Sequence, residues 1–325
     1  MTALLGTELR RITARRLVRL SIIAALLGIA AAGIITAVHS RPVAPEVVAQ
    51  AERRAERART DCRAGKGIQP GDLPPGQTLE EFCLESIRPE YFYDASREFR
   101  LRGLPDILRG TSFILIVGGW LLGASFVGAE WHAGTMTTLL TWEPRRLRVL
   151  ATKTLAAVVV VFALAIVLQV LLSMVLAAAA GLRGSTAGTG GAWLRELVGV
   201  GLRSGVVASL AAVMGLAIAG IGRNTAAALG IGFAYLAIGE GLLRGIRPAW
   251  GRWLLGDNAA TFIDGRAHSF YGPFHTVASG PGGLVYGGRP TVFVRTVAEA
   301  VAIVVVYAAV LLVLAALSFR ARDVT

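Results

Sequence analysis

Apolar residues along this chain gather into six long blocks, divided by short polar turns and one long charged segment. The blocks predict helices over residues 17–38, 111–127, 151–180, 197–221, 225–243 and 292–319. Crossing about 30 Å of hydrocarbon takes roughly 20 apolar residues in helical form, and the blocks have that length. The reading is an all-α integral membrane protein with six transmembrane helices. The first block is far longer than the about 7–15 apolar residues of a secretory signal, so it reads as a retained span. The third is long enough to tilt or to project beyond the bilayer.

Residues 1–16 carry Arg10, Arg11, Arg15 and Arg16 among scattered Leu and Ile, the pattern of an amphipathic helix lying on the cytoplasmic face. A solvated basic tail is the alternative. Residues 39–108 are charged and Pro-containing, with a helical stretch over 45–59, and read as a large extracytoplasmic loop between the first two helices. Loops longer than about 60 residues escape the charge rule, so the loop's Arg content does not place it inside. It holds the only cysteines, Cys62 and Cys83. An oxidising exterior predicts a bridge between them, contributing roughly 3 kcal/mol for a loop of that length; two free thiols are the alternative. Residues 244–291, rich in Gly, Trp and Pro, form a second outside segment whose apolar run WLLGDNAATFI suits partial return into the outer leaflet.

Charge changes the picture of partners. A net charge of +12 would suggest nucleic acid in a soluble chain, yet 54% of residues are hydrophobic and mean hydropathy is +0.60. The arginines border apolar spans, which is the positive-inside bias together with attraction to anionic lipid headgroups. Membrane lipids are therefore expected as partners and nucleic acid is not. Six spans and the basic short loops put both termini in the cytoplasm, with the plasma membrane as the location.

Candidate chemistry is sparse. No G-x-x-x-x-G-K-[ST] occurs, and Gly65-Lys66-Gly67 is only a glycine-flanked Lys in the outside loop. H-E-x-x-H and G-x-S-x-G are absent, and His132 lacks a second His at helical spacing. His268 and His275 without a nearby carboxylate or Cys make a poor metal site, so no metal or cofactor is expected on this chain. Charges inside the spans say more, because they are costly in lipid. Arg203, Glu240 and Glu299 fall toward the outer ends of the fourth, fifth and sixth spans, so they are expected near one another as an ion pair gluing helices, or as the lining of an exit path. Gln169 and Ser173 share a face of the third span and suit interhelical hydrogen bonds.

The one polar, motif-like insert between apolar blocks is 128–150, containing EWHAGTMTTLLTWEPRR. Glu130 and Trp131 open it, Leu139, Leu140 and Trp142 give it an apolar side, and Pro144 suits the first turn of a new helix. The pattern Gly128, Glu130, Trp131, Gly134, Thr135, Leu139, Leu140, Pro144 and Arg146, followed by Lys153, resembles the coupling region of ABC-2 type transporter permeases. The resemblance extends across the six-span layout, the basic N-terminus, the large first loop and the closing FRARDV.

That resemblance implies a coupling helix between spans two and three that docks in a groove of a separate ATP-hydrolysing subunit. Glu130 and Trp131 would sit at the cytoplasmic end of span two, Gly134 and Thr135 in the coupling helix, and Leu139 and Leu140 on its packing face. Pro144, Arg146 and Lys153 would set the return of span three. It further implies a dimer of permease subunits, identical or similar, with ATP and Mg2+ bound by the partner and no catalysis here. The cargo would be a lipophilic or amphipathic compound moved outward. A membrane anchor that recruits an ATPase without transporting is the alternative function. An intramembrane enzyme using Glu240 or Glu299 lacks an accompanying nucleophile or metal set.

Overall fold

A computed structural model of the chain describes residues 2–41, 43–66, 78–93, 98–246, 248–271, 277–279, 283–285 and 292–321. Six of its helices are long and apolar enough to cross a membrane, and the chain is a multi-pass membrane protein. Short α1 (Thr2–Thr13) leads into α2 (Arg16–His39); α3 (Pro45–Arg63) and α4 (Leu79–Ser86) follow. Next come α5 (Leu104–His132), α6 (Thr135–Trp142), α7 (Arg146–Arg183) and α8 (Gly191–Gly222). The fifth span is α9 (Thr225–Ala234), a π turn (Tyr235–Glu240) and α10 (Gly241–Ile246). After a 3₁₀ turn (Pro248–Trp253), α11 (Leu255–Asp264) and four short strands precede α12 (Val297–Ala321).

The chain divides into two compact units. The first comprises 1–28, 103–172 and 190–325, and its centre is the pair α5 and α8. A Cβ placed on Gly123 of α5 would lie 2.0 Å from the carbonyl oxygen of Ala212, so the two backbones touch because neither presents bulk there. Ser112 and Ser204 hydroxyls meet at 2.6 Å across the same seam. Trp120 Nε1 donates to the Ala228 carbonyl at 3.2 Å, binding α9 to α5. Leu255 of α11 packs against Met214 of α8 and Ala308 of α12.

The second unit comprises 29–102 and 173–189. Cys62 and Cys83 form a disulfide that joins the end of α3 to the middle of α4, with their Cα atoms 5.9 Å apart. Thr78 and Glu81 cap α4 reciprocally, and the Arg59 Nε donates to the Ile87 carbonyl at 3.0 Å. The Thr78 backbone N–H, bonded to the Glu81 carboxylate, holds its pKa below the ordinary glutamate value. Ser40 ties strand-like Phe99 to α7: its hydroxyl accepts from the Phe99 N–H at 3.0 Å and donates to the Arg183 carbonyl.

Several boundaries differ from the sequence expectation; α7 and α8 start five and six residues earlier than expected, at Arg146 and Gly191. The second span begins at Leu104 rather than 111, because Pro105 fits a helix's first turn and the following DILRG continues it. Val292–Arg295 is not the start of the sixth span. That β-branched and aromatic run forms an antiparallel strand, β4, against β1 (His268–Tyr271). Helix α12 then starts at a capping box in which Thr296 Oγ1 accepts from the Glu299 N–H and the Glu299 carboxylate accepts from the Thr296 N–H. Pro144 stands two residues before α7 rather than in its first turn. Of the other expectations, Gly67, His275 and Arg322 lie outside the described residues.

Candidate functional site

The insert between the second and third spans folds as a short helix braced by a buried ionic base. Gly134 takes a left-handed conformation, φ 67°, and turns the chain out of α5 into α6. A side chain there would strain the backbone although the space around it is open. Met136 and Leu140 are buried, and Leu139 is partly buried against the same core, which includes Phe126, Val149 and Leu150. The other side of α6, with Thr135, Thr138 and Thr141, is exposed, and Trp142 at its end is 85% exposed.

Beneath α6 lie four charges. Lys153 Nζ is 2.8 Å from Glu8 Oε2 and 2.6 Å from Glu130 Oε2, with Lys153 and Glu8 both buried. The other oxygen of Glu130 is 2.8 Å from Arg15 Nη2, and Arg15 Nη1 donates to the Ser125 carbonyl at 2.7 Å. Phe126 supplies a ring face to both cations, Lys153 Nζ at 4.7 Å and Arg15 at 5.1 Å. Two carboxylates and two cations thus neutralise one another where single charges would be costly. They tie α1, the start of α2, the end of α5 and the first turns of α7 into one block.

Neighbouring contacts extend the block. Trp131 packs edge-on against Phe319 of α12 with ring centres 5.6 Å apart, and Arg223, in the turn between α8 and α9, stacks 4.5 Å over the Trp131 ring. Arg146 Nη1 donates to the Phe319 carbonyl at 3.0 Å. Thr135 Oγ1 donates to the Glu130 carbonyl. Glu130 and Lys153, expected at the end of the second span and the start of the third, are buried there; Trp131 and Arg146 are half-buried against α12, and Pro144 is exposed. Glu8 and Arg223 complete the arrangement without having been singled out from sequence, and Arg15 was read only as part of a basic interfacial helix. Only long-range proximity identifies them, although an acid at position 8 in an otherwise basic helix was the one available signal.

At the opposite end of the spans the three intramembrane charges do not form one group, which corrects the expectation that they lie together. Glu299 is the exposed cap of α12 and pairs with Arg295 at 3.5 Å. Glu240, buried in the π turn, accepts from the Gly256 N–H at 2.6 Å, and the Tyr235 hydroxyl accepts from the Leu255 N–H at 3.0 Å. These two side chains satisfy N–H groups left open at the start of α11. Arg203 donates from Nε to the Gly199 carbonyl and lies against Gly265 at the end of α11. The ion pairs at that end centre instead on Arg109, which meets Glu196, Asp106 and Asp264. Sequence spacing gives depth along a helix but not rotation about it, so equal depth did not mean adjacency.

Among the described histidines, His268 packs edge-on against Phe270, with ring centres 5.1 Å apart. No group of three His, Cys, Asp or Glu positioned for a metal occurs among the described residues. No protein-family model, curated protein or solved structure matches the chain.

Proposed function

We propose that this chain is the membrane subunit of an ATP-driven exporter. It works as a dimer, with itself or a similar subunit, above two ATP-hydrolysing subunits that bind ATP and Mg2+. It moves a lipophilic or amphipathic compound out of the cell across the plasma membrane, with both termini in the cytoplasm. The observation that carries this reading is α6: a short helix between two spans, exposed on one side and fixed on the other to a buried ionic base.

Such an element suits force transmission. A helix joined to its spans only by loose loops would absorb a push, whereas α6 packs Met136 and Leu140 into a core shared with α1, α5, α7, α8 and α12. That core adjoins the ionic group through Phe126, whose ring faces Lys153 and Arg15, and Trp131 with Phe319 joins it to α12. The exposed row ending in Trp142 is the surface an ATPase groove would receive; a large exposed aromatic is a favourable anchor for such an interface.

Gentle detergent purification of tagged protein from its native source tests the reading. The expected result is co-purification of a P-loop ATPase whose hydrolysis is stimulated by membrane-soluble cargo. Trp142→Ala should reduce recovered ATPase about tenfold or more, as for loss of a hot-spot residue, with thermal stability unchanged. An ATPase-free chain, or equal recovery with Trp142→Ala, overturns the docking assignment. Recovered ATPase indifferent to every membrane solute overturns transport and leaves an anchoring role.

A further inference from the structure

A second site stands at the far end of the sixth span. Arg252 closes the 3₁₀ turn before α11, and its guanidinium lies between two rings, 4.4 Å from the Phe293 centroid and 5.3 Å from that of Trp253. Arg295, at the end of β4, stacks on the same Trp253 at 5.3 Å and donates from Nη2 to the Arg252 carbonyl at 3.1 Å. Arg295 has Glu299 as its carboxylate partner. Among the described residues Arg252 has no acidic partner and no acceptor for its N–H groups, and its buried Nε is unbonded, as is that of Arg295.

The surroundings indicate the chemistry those donors would meet. Trp253 is 51% exposed, and its carbonyl accepts from the Tyr307 hydroxyl on α12, so the ring lies beside a span. Below it α12 presents exposed Val306 and Val310. A guanidinium against Trp253 and Phe293, close to a Tyr that bonds the Trp253 backbone and to an apolar helix face, matches the layered chemistry of a membrane interface. Arg offers a planar pair of donors fitted to two phosphate oxygens. Contact with the two ring faces restrains the guanidinium without consuming those donors.

We infer that Arg252, assisted by Arg295, binds the phosphate of a membrane phospholipid whose acyl chains run along Trp253, Tyr307 and Val310. The site is separate from α6 and holds whether or not the chain transports. Inorganic phosphate shares the headgroup chemistry but gains nothing from the apolar face below.

The test uses the full chain, delipidated in detergent and offered phosphatidylglycerol, dioleoylglycerol or inorganic phosphate, with bound molecules counted by native mass spectrometry. Phosphatidylglycerol should be retained, dioleoylglycerol and inorganic phosphate should not. Arg252→Gln should lower retention about tenfold, as for loss of a charge-assisted pair, and Arg252→Lys should lower it less. Equal retention by wild type and Arg252→Gln overturns the site, and capture of inorganic phosphate alone overturns the lipid assignment. A phospholipid with a photoreactive acyl chain probes the unaltered protein, so the result does not depend on a variant folding. Labelling of peptides containing Trp253 or Tyr307 is expected, and its absence refutes the proposal.

Discussion

Lys153 occupies the second turn of a long apolar helix, where a free ammonium would be expelled from the core. It is held because Glu8 and Glu130 each contribute a carboxylate and Phe126 a ring face. Lys153→Met removes the cation and leaves two buried acids sharing only Arg15 and the more exposed Arg11. Breaking a buried network from one side costs about 3–5 kcal/mol, so thermal unfolding in detergent should show a large loss. Glu8→Gln, which keeps shape and an acceptor, should cost markedly less. Equal unfolding temperatures for wild type and Lys153→Met would show that the four charges are not buried as a unit. Glu130 and Lys153 were legible as important from their positions in a polar insert. Their role as internal bracing was not, because both partners that define it come from the first 15 residues.

Among the helices, α5 and α8 carry the closest backbone approach, and the sequence announces it only as an abundance of Gly and Ala. Gly123→Val should separate the two helices, since even its Cβ would sit 2.0 Å from the Ala212 carbonyl. Overpacking of this kind costs about 1–3 kcal/mol, or more where backbone must move, and should appear as a lowered unfolding temperature. Gly28→Val in α2, where an added Cβ meets nothing, is the control and should be neutral. An equal effect at both positions would refute the seam. The helix blocks themselves were readable because hydrophobic length is a local property. Their ends were less so: Val292–Arg295 scores as apolar span by composition, but its hydrogen bonds go to β1, and the Thr296–Glu299 capping box starts the helix after it.

For the molecule as a whole, the disulfide belongs to one compact unit and the α5–α8 seam to the other. Replacing both cysteines by serine should therefore act locally. A loop of this size contributes roughly 3 kcal/mol, so hydrogen exchange should accelerate across α3 and α4 while α5 and α8 remain protected. Uniform acceleration throughout would show that the units do not respond separately. The bridge was accessible to sequence reasoning because there were only two cysteines and one long loop containing both.

Sequence was enough for the number of spans, the apolar class, the polar insert at 128–150 and the one bridge available, Cys62 with Cys83, which the structure then showed to form. Each follows from residue type and spacing along the chain. The tertiary structure decided which charges meet: Glu8 with Lys153, Arg109 with Glu196 and Asp264, and Glu240 with the start of α11. It also brought Arg252 against the rings of Trp253 and Phe293, with no acidic partner among the described residues. The physical reason is that hydrophobic burial acts on stretches and can be summed along the chain. Ion pairs and ring contacts depend on a few ångströms and on rotation about each helix axis, which are fixed only when the helices pack.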